Sequence, residues 1–110
     1  MSSMSEASHT GLITTTVATR EDARRIAGAL LAERLAACVQ LLPIESHYVW
    51  QGEQKAEPEV MLLVKTRAEL FEAAIARIKA LHPYQVPEIV AQTFAAGFGP
   101  YLDWIAENTG

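Results

Sequence analysis

The chain predicts an α+β domain in which two βαβ units share one antiparallel sheet. Three observations carry this reading. Residues 11–17 form a β-branched run, two stretches with helical apolar spacing each follow a threonine, and a stretch between them is too long for one ordinary strand.

The elements follow in order. Residues 1–10 are Ser-rich and lack the apolar centre of a signal peptide, so they read as a disordered lead-in to a single domain at 11–110. Residues 11–17 are the first strand. Thr19 is placed as a helix cap, with Asp22 at the reciprocal position of a capping box. Ala23, Ile26, Ala27, Leu30, Leu31 and Leu35 then recur at helical spacing and give the helix one apolar face. Gly28 within it is expected to mark close approach to a strand.

Residues 36–50 are read as one long strand bent near Pro43, which must sit at an edge or a bulge. A polar turn at 51–55 sends the chain back through 57–66, whose apolar run at 60–64 suits a strand buried on both faces. Thr66 and Glu69 match a second capping box, followed by Leu70, Phe71, Ala74, Ile75, Ile78 and Leu81 on one helical side.

Residues 82–88 read His-Pro-Tyr-Gln-Val-Pro-Glu. Each proline fixes its own φ and pushes its predecessor out of the α region, so the helix ends near Leu81 and the next strand begins at Glu88. A stiff connection carrying an imidazole, a phenol and a carboxylate is a candidate site. After the strand at 88–94, Pro100 suits the first position of a last helix carrying Tyr101, Leu102, Trp104 and Ile105. The order β-α-β-β-α-β plus a tail helix is the ferredoxin-like split arrangement.

Composition narrows the function. Half the residues are apolar, enough for a core without staples at this length. A net charge of −4 with scattered Lys and Arg argues against nucleic acid as a partner. No apolar run is long enough to span a bilayer, and one cysteine cannot build a disulfide framework; a cytoplasmic protein is expected. One sheet face is left without helices, and the long hairpin overhangs a small domain. Sister copies of the chain are the simplest cover, arranged head to tail in a ring.

Several segments resemble the CutA divalent-cation tolerance proteins, in order and spacing. They are residues 35–39 (Leu-Ala-Ala-Cys-Val), 48–52 (Tyr-Val-Trp-Gln-Gly), Glu59, 63–66 (Leu-Val-Lys-Thr), 82–89 and 101–105 (Tyr-Leu-Asp-Trp-Ile). The resemblance spans about residues 12–105. It implies a stable cytoplasmic homotrimer, arranged like the PII signalling proteins and linked to tolerance of copper and other divalent metals. Two departures stand out. The first strand ends Thr14-Thr15-Thr16-Val17 and offers no thiol there, and Ile44 follows Pro43 where the family often has glycine.

His82 with Glu88 is the sharpest metal candidate, since imidazole nitrogen and carboxylate oxygen suit Cu(II) or Zn(II). Glu45, His47 or Asp103 of a neighbouring copy could complete the set. The competing reading makes His82 a cap on the last turn of the second helix. Lys65, Tyr84 and Trp50 could line a cleft between copies that takes a small anion or nucleotide-like ligand, or could belong to a subunit interface. Cys38 reads as a core residue. No phosphate loop, metal-ligand pair at helical spacing or nucleophile elbow is present, so no enzyme is expected. The alternative function is a signalling trimer that presents its hairpin to a protein partner and binds metal incidentally.

Overall fold

The computed structural model describes residues 7–110. The elements are β1 (Thr10–Val17), α1 (Arg20–Ala32), β2 (Cys38–Trp50), β3 (Glu53–Arg67), α2 (Phe71–Leu81), β4 (Ile89–Thr93) and α3 (Gly99–Glu107). The sheet order is β2-β3-β1-β4 with antiparallel neighbours. Each of the crossovers through α1 and α2 skips one strand, so the two βαβ units interleave as the ferredoxin-like fold requires.

Alternation sets the two faces of the sheet. Ile13 and Val17 of β1 and Leu62 and Val64 of β3 are buried against Ala23, Ile26 and Leu30 of α1 and Ala74 and Ile78 of α2. Their sequence neighbours point to the other face, because side chains alternate along a strand. On that face α3 covers one end, where Leu102 and Ile105 pack on Ala7 beside Ala37 and Phe94. Leu42 and Val90, farther along it, are about half exposed at 48% and 58%.

The long hairpin turns tightly. Trp50 pairs with Glu53, and Gln51 (φ 51°) and Gly52 (φ 79°) form a two-residue loop with both φ values positive, the geometry that matches strand twist. β3 therefore starts at Glu53, four residues before the sequence placed it. The register with β2 runs unbroken through Pro43, which pairs with Val60. Pro43 sits on the edge strand, as required, and its missing donor makes Pro43–Val60 a pair without ladder hydrogen bonds. Two positions on, Glu45–Pro58 is a pair of the same kind, so the second proline also costs the ladder nothing. β1 reaches β3 only from Val60 to Arg67, leaving residues 53–59 paired on one side.

Helix α1 opens on the expected Thr19 cap, with the Asp22 amide donating to Thr19 Oγ1 at 3.1 Å, while the Asp22 carboxylate accepts from Arg25 Nη2 at 3.4 Å. Its end is closed by Leu35 N–H to Leu30 O at 2.9 Å and Arg34 N–H to Leu31 O at 3.2 Å, with Arg34 in the left-handed region (φ 58°). The Arg34 side chain then donates to Glu107 O and Gly110 O, at 2.9 and 2.8 Å. Arg67 donates to Thr109 Oγ1 and Thr109 O, so two arginines hold the end of the chain on the body.

Four expectations need correction. Thr66 does not cap α2. It stays in β3 opposite Gly11, fully buried, and a 3₁₀ turn at Ala68–Leu70 leads into the helix while Glu69 pairs with Arg67. Cys38 is half-buried rather than a core residue, because it starts β2 on the face opposite the helices. The disordered lead-in falls partly outside the described residues, namely at 1–6. Residues 7–10 are placed: Ala7 is buried, and Thr10 opens β1 with its hydroxyl donating to Ala7 O at 2.8 Å.

The fourth concerns glycine. A Cβ on Gly28 would meet nothing within 4 Å, whereas one on Gly11 would come within 2.3 Å of Gln92 O and 2.6 Å of the Phe71 ring. The close approach is at Gly11. Gly28→Ala is therefore expected to stabilise the fold by about 1 kcal/mol through helix propensity. Gly11→Ala should cost about 2 kcal/mol or more through overpacking. Chemical denaturation of the two variants checks both signs.

Candidate functional site

The proline-containing connection at 82–88 ends α2 where the sequence places its end. His82 is extended (φ −77°, ψ 131°), as a residue before proline must be. The Leu81 carbonyl, left free by the helix end, accepts from Arg25 Nη2 at 2.9 Å. His82 closes that turn through its backbone N–H, which donates to Lys79 O at 3.4 Å, and not through its side chain. Its ring swings to β1, where Nε2 donates to Thr16 O at 2.8 Å, and Nδ1 accepts from the Tyr84 amide at 3.1 Å. Both nitrogens of this buried imidazole are engaged within the chain, which fixes one neutral tautomer.

Tyr84 continues the brace. Its ring centroid lies 4.9 Å from that of His82, and its hydroxyl donates to Glu59 Oε2 on β3 at 2.7 Å. Burial, then Glu59, pushes the phenol well above its ordinary pKa, so it stays a neutral donor. Tyr48, beside Glu57, is shifted the same way. The connection at 82–88 is thereby pinned to β1 at one point and to the hairpin at another.

Between that connection and the far half of the hairpin lies a cleft of about 540 Å³. Tyr48, Trp50 and Tyr84 give it aromatic walls and Glu57, Glu59 and Glu88 give it carboxylates, while His47 borders it from a strand position whose side chain alternates to the opposite face. Trp50, Tyr84 and Glu88 of the expected residues thus come together. Lys65 stands apart. It lies six residues along β3 from Glu59, about 20 Å away at strand rise. There its Nζ donates to Gln40 Oε1 at 2.8 Å and sits 5.6 Å above the Tyr101 ring. Without it the cleft lining holds no Lys or Arg, which removes the reason to expect an anion.

Glu57 is a cleft residue that sequence reasoning did not assign to this chain's own cleft. The signal was strand alternation: Tyr48 and Trp50 share a face with Glu57 and Glu59 once the register is known. Glu45 and His47 pair with each other at 3.4 Å on the exposed hairpin. Among the described residues no three His, Cys, Asp or Glu side chains converge on a point that could hold a metal ion.

The fold and this cleft define a ferredoxin-like α+β protein with an acidic, aromatic cleft on the sheet face its helices leave open. Comparison narrows the class. The model of the family described as "CutA1 divalent ion tolerance protein" matches residues 11–108. The chain belongs to this family. It is 55% identical over 96 residues to the Divalent-cation tolerance protein CutA of Thermus thermophilus, covering 86% of this chain and 93% of that one. The solved structure of the protein from that organism superposes with a TM-score of 0.88 at 52% identity, covering 92% of this chain and 99% of that one. A structure described as the periplasmic divalent cation tolerance protein CutA from Archaeoglobus fulgidus gives 0.87 at 40% identity, over 90% of this chain and 97% of that one. The chloroplastic CutA 1 of Oryza sativa is 41% identical over 95 residues, 86% of this chain, which spans about half (54%) of that relative. No helix among the described residues is long and apolar enough to cross a membrane.

Burial lowers the His82 pKa below its ordinary 6.5, against the Thr16 carbonyl and the Asp22 carboxylate that favour the charged ring. The unfolded chain therefore protonates first as pH falls. His82 is expected to remove stability between about pH 6.5 and its lower folded value, with full stability above that window. His82→Gln should flatten the slope of melting temperature against pH there; an unchanged slope would place the titrating group elsewhere.

Proposed function

We propose that the chain acts as a non-catalytic, cytoplasmic homotrimer in divalent-cation tolerance, and that its cleft takes a divalent ion, copper or zinc, completed by a second copy. The observation that supports this most is the chemistry of the lining. Glu57, Glu59 and Glu88 share one surface with no cationic side chain among them. Carboxylate oxygen and imidazole nitrogen are suitable donors for both metals. The described residues of one chain bring no three donors to a point, which is why the ion is assigned to a cleft shared between copies. In this reading Glu88 is a ligand as the sequence suggests, His47 of a neighbouring copy supplies the accessible imidazole, and His82 holds the Tyr84 wall.

A second reading has its own support. Val49, near the hairpin tip, is 69% exposed, and such a tip suits contact with a protein partner. Calorimetry with Cu(II) and Zn(II) on the intact protein separates the two. Glu88→Ala and His47→Ala should each weaken binding about tenfold or more while the fold persists. Undiminished binding in both variants would move the ion elsewhere, and no binding in the parent would leave the partner reading.

A further inference from the structure

His82 ties the 82–88 connection to the body of the domain, and the tie works in only one protonation state. The Thr16 carbonyl can only accept, so Nε2 carries the ring proton; the Tyr84 amide can only donate, so Nδ1 carries none. Thr16 lies one residue past the last β1–β4 pair, Thr15–Ile89, so the ring takes over where the strand stops. The connection has few other hydrogen-bonded holds. Its prolines at 83 and 87 offer no donor, and among the described residues 83–87 make no backbone-to-backbone hydrogen bond. What remains is the Tyr84 hydroxyl on Glu59 Oε2 at 2.7 Å. His82 is only 8% exposed within its own chain, so its hold does not depend on what covers the sheet.

We propose that His82 is an acid-operated latch: a proton on Nδ1 sets N–H against N–H at Tyr84, and the 82–88 connection comes away while the sheet and helices stay folded. A buried donor facing a donor loses its hydrogen bond and leaves both groups unsatisfied. The ring escapes by turning out to water, where its charge is solvated. Tyr84 leaves with the connection, and Glu59 then loses its phenol donor, so the open face gains an unpartnered carboxylate. The groups around the ring set the window. Burial disfavours the charged ring most; Thr16 O on β1, Asp22 on α1 and Glu59 on β3 favour it, and Lys79 on α2 opposes it. Asp22 is also engaged by Arg25 at 3.4 Å, and the Tyr84 phenol stays neutral throughout. The net direction is downward from 6.5, so the released state takes up the proton first and gains population as pH falls below that value. Opening one exposed connection breaks far fewer contacts than opening the sheet, so the release precedes global unfolding.

Amide hydrogen exchange of the intact protein, followed by NMR and divided by the intrinsic exchange rate at each pH, tests this at the Tyr84 amide. Its protection is expected to fall by up to about tenfold per pH unit below 6.5, until the ring titrates in place, while the amides of Ile13 and Val64 keep theirs. Nitrogen NMR of the ring should show the proton on Nε2 alone at about pH 7.5. His82→Gln should remove the pH dependence of Tyr84 protection. Should that variant not fold by circular dichroism, Tyr84→Phe keeps the test: with the phenol hold gone, the amide at position 84 should open more readily at every pH, with the same pH slope. Tyr84 protection that changes with pH only in step with Ile13 and Val64, a ring proton on Nδ1 at neutral pH, or a slope unchanged in His82→Gln would overturn the inference. None of these outcomes depends on whether the cleft takes a divalent ion, so the two proposals fail separately.

Discussion

The pairing of β2 with β3 is the constraint on which the rest of the structure depends. The ladder runs from Cys38–Lys65 to Trp50–Glu53 without a break. Only its Val60–Arg67 half is continued into β1, so the far half projects from the domain. The molecule is 48 Å long and 22 Å in its shortest dimension. Its radius of gyration of 14.7 Å exceeds the roughly 13 Å of a compact domain of this length. The projection creates one wall of the cleft and leaves strand edges at 53–59 and along β2 without partners. The two prolines in it face those edges, where a missing donor costs no ladder bond.

The open face is polarised along β3. Glu57 and Glu59 stand at the hairpin end and Lys65 and Arg67 at the other, all on the same side of the strand. At the basic end the charges are used internally, by Gln40, Tyr101, Glu69 and Thr109. At the acidic end Glu59 accepts from Tyr84, and Glu57 and Glu88 border open space. Structural polarity of this kind follows from short-range pairing, and it leaves the chemistry that could meet a ligand at one end.

Much of this was legible in the sequence because local signals agreed. The β-branched run, the Thr19 cap, the helical spacing through Leu30 and the two prolines at 83 and 87 each fixed an element within one or two residues. What failed had a tertiary cause. Thr66 has the right spacing to Glu69 for a cap, yet pairing with Gly11 keeps it in the strand. Gly28 and Gly11 are alike in sequence; only the Phe71 ring and the β4 backbone distinguish them. Lys65 and Glu59 lie on one strand face, and strand rise alone separates them by about 20 Å. His82 was legible as a polar group in a stiff connection, but its partner Thr16 is 66 residues away in sequence. The cleft's acidity became visible only with the hairpin register, which sets Glu57 and Glu59 beside the aromatic residues.

The central claim is that the projecting hairpin and the uncovered sheet face are completed by other copies of the same chain, three in all. Sedimentation equilibrium at low micromolar concentration tests it most directly. The account predicts a single species of three times the 12.0 kDa chain mass. A folded species at one chain mass, with the hairpin intact, would contradict it.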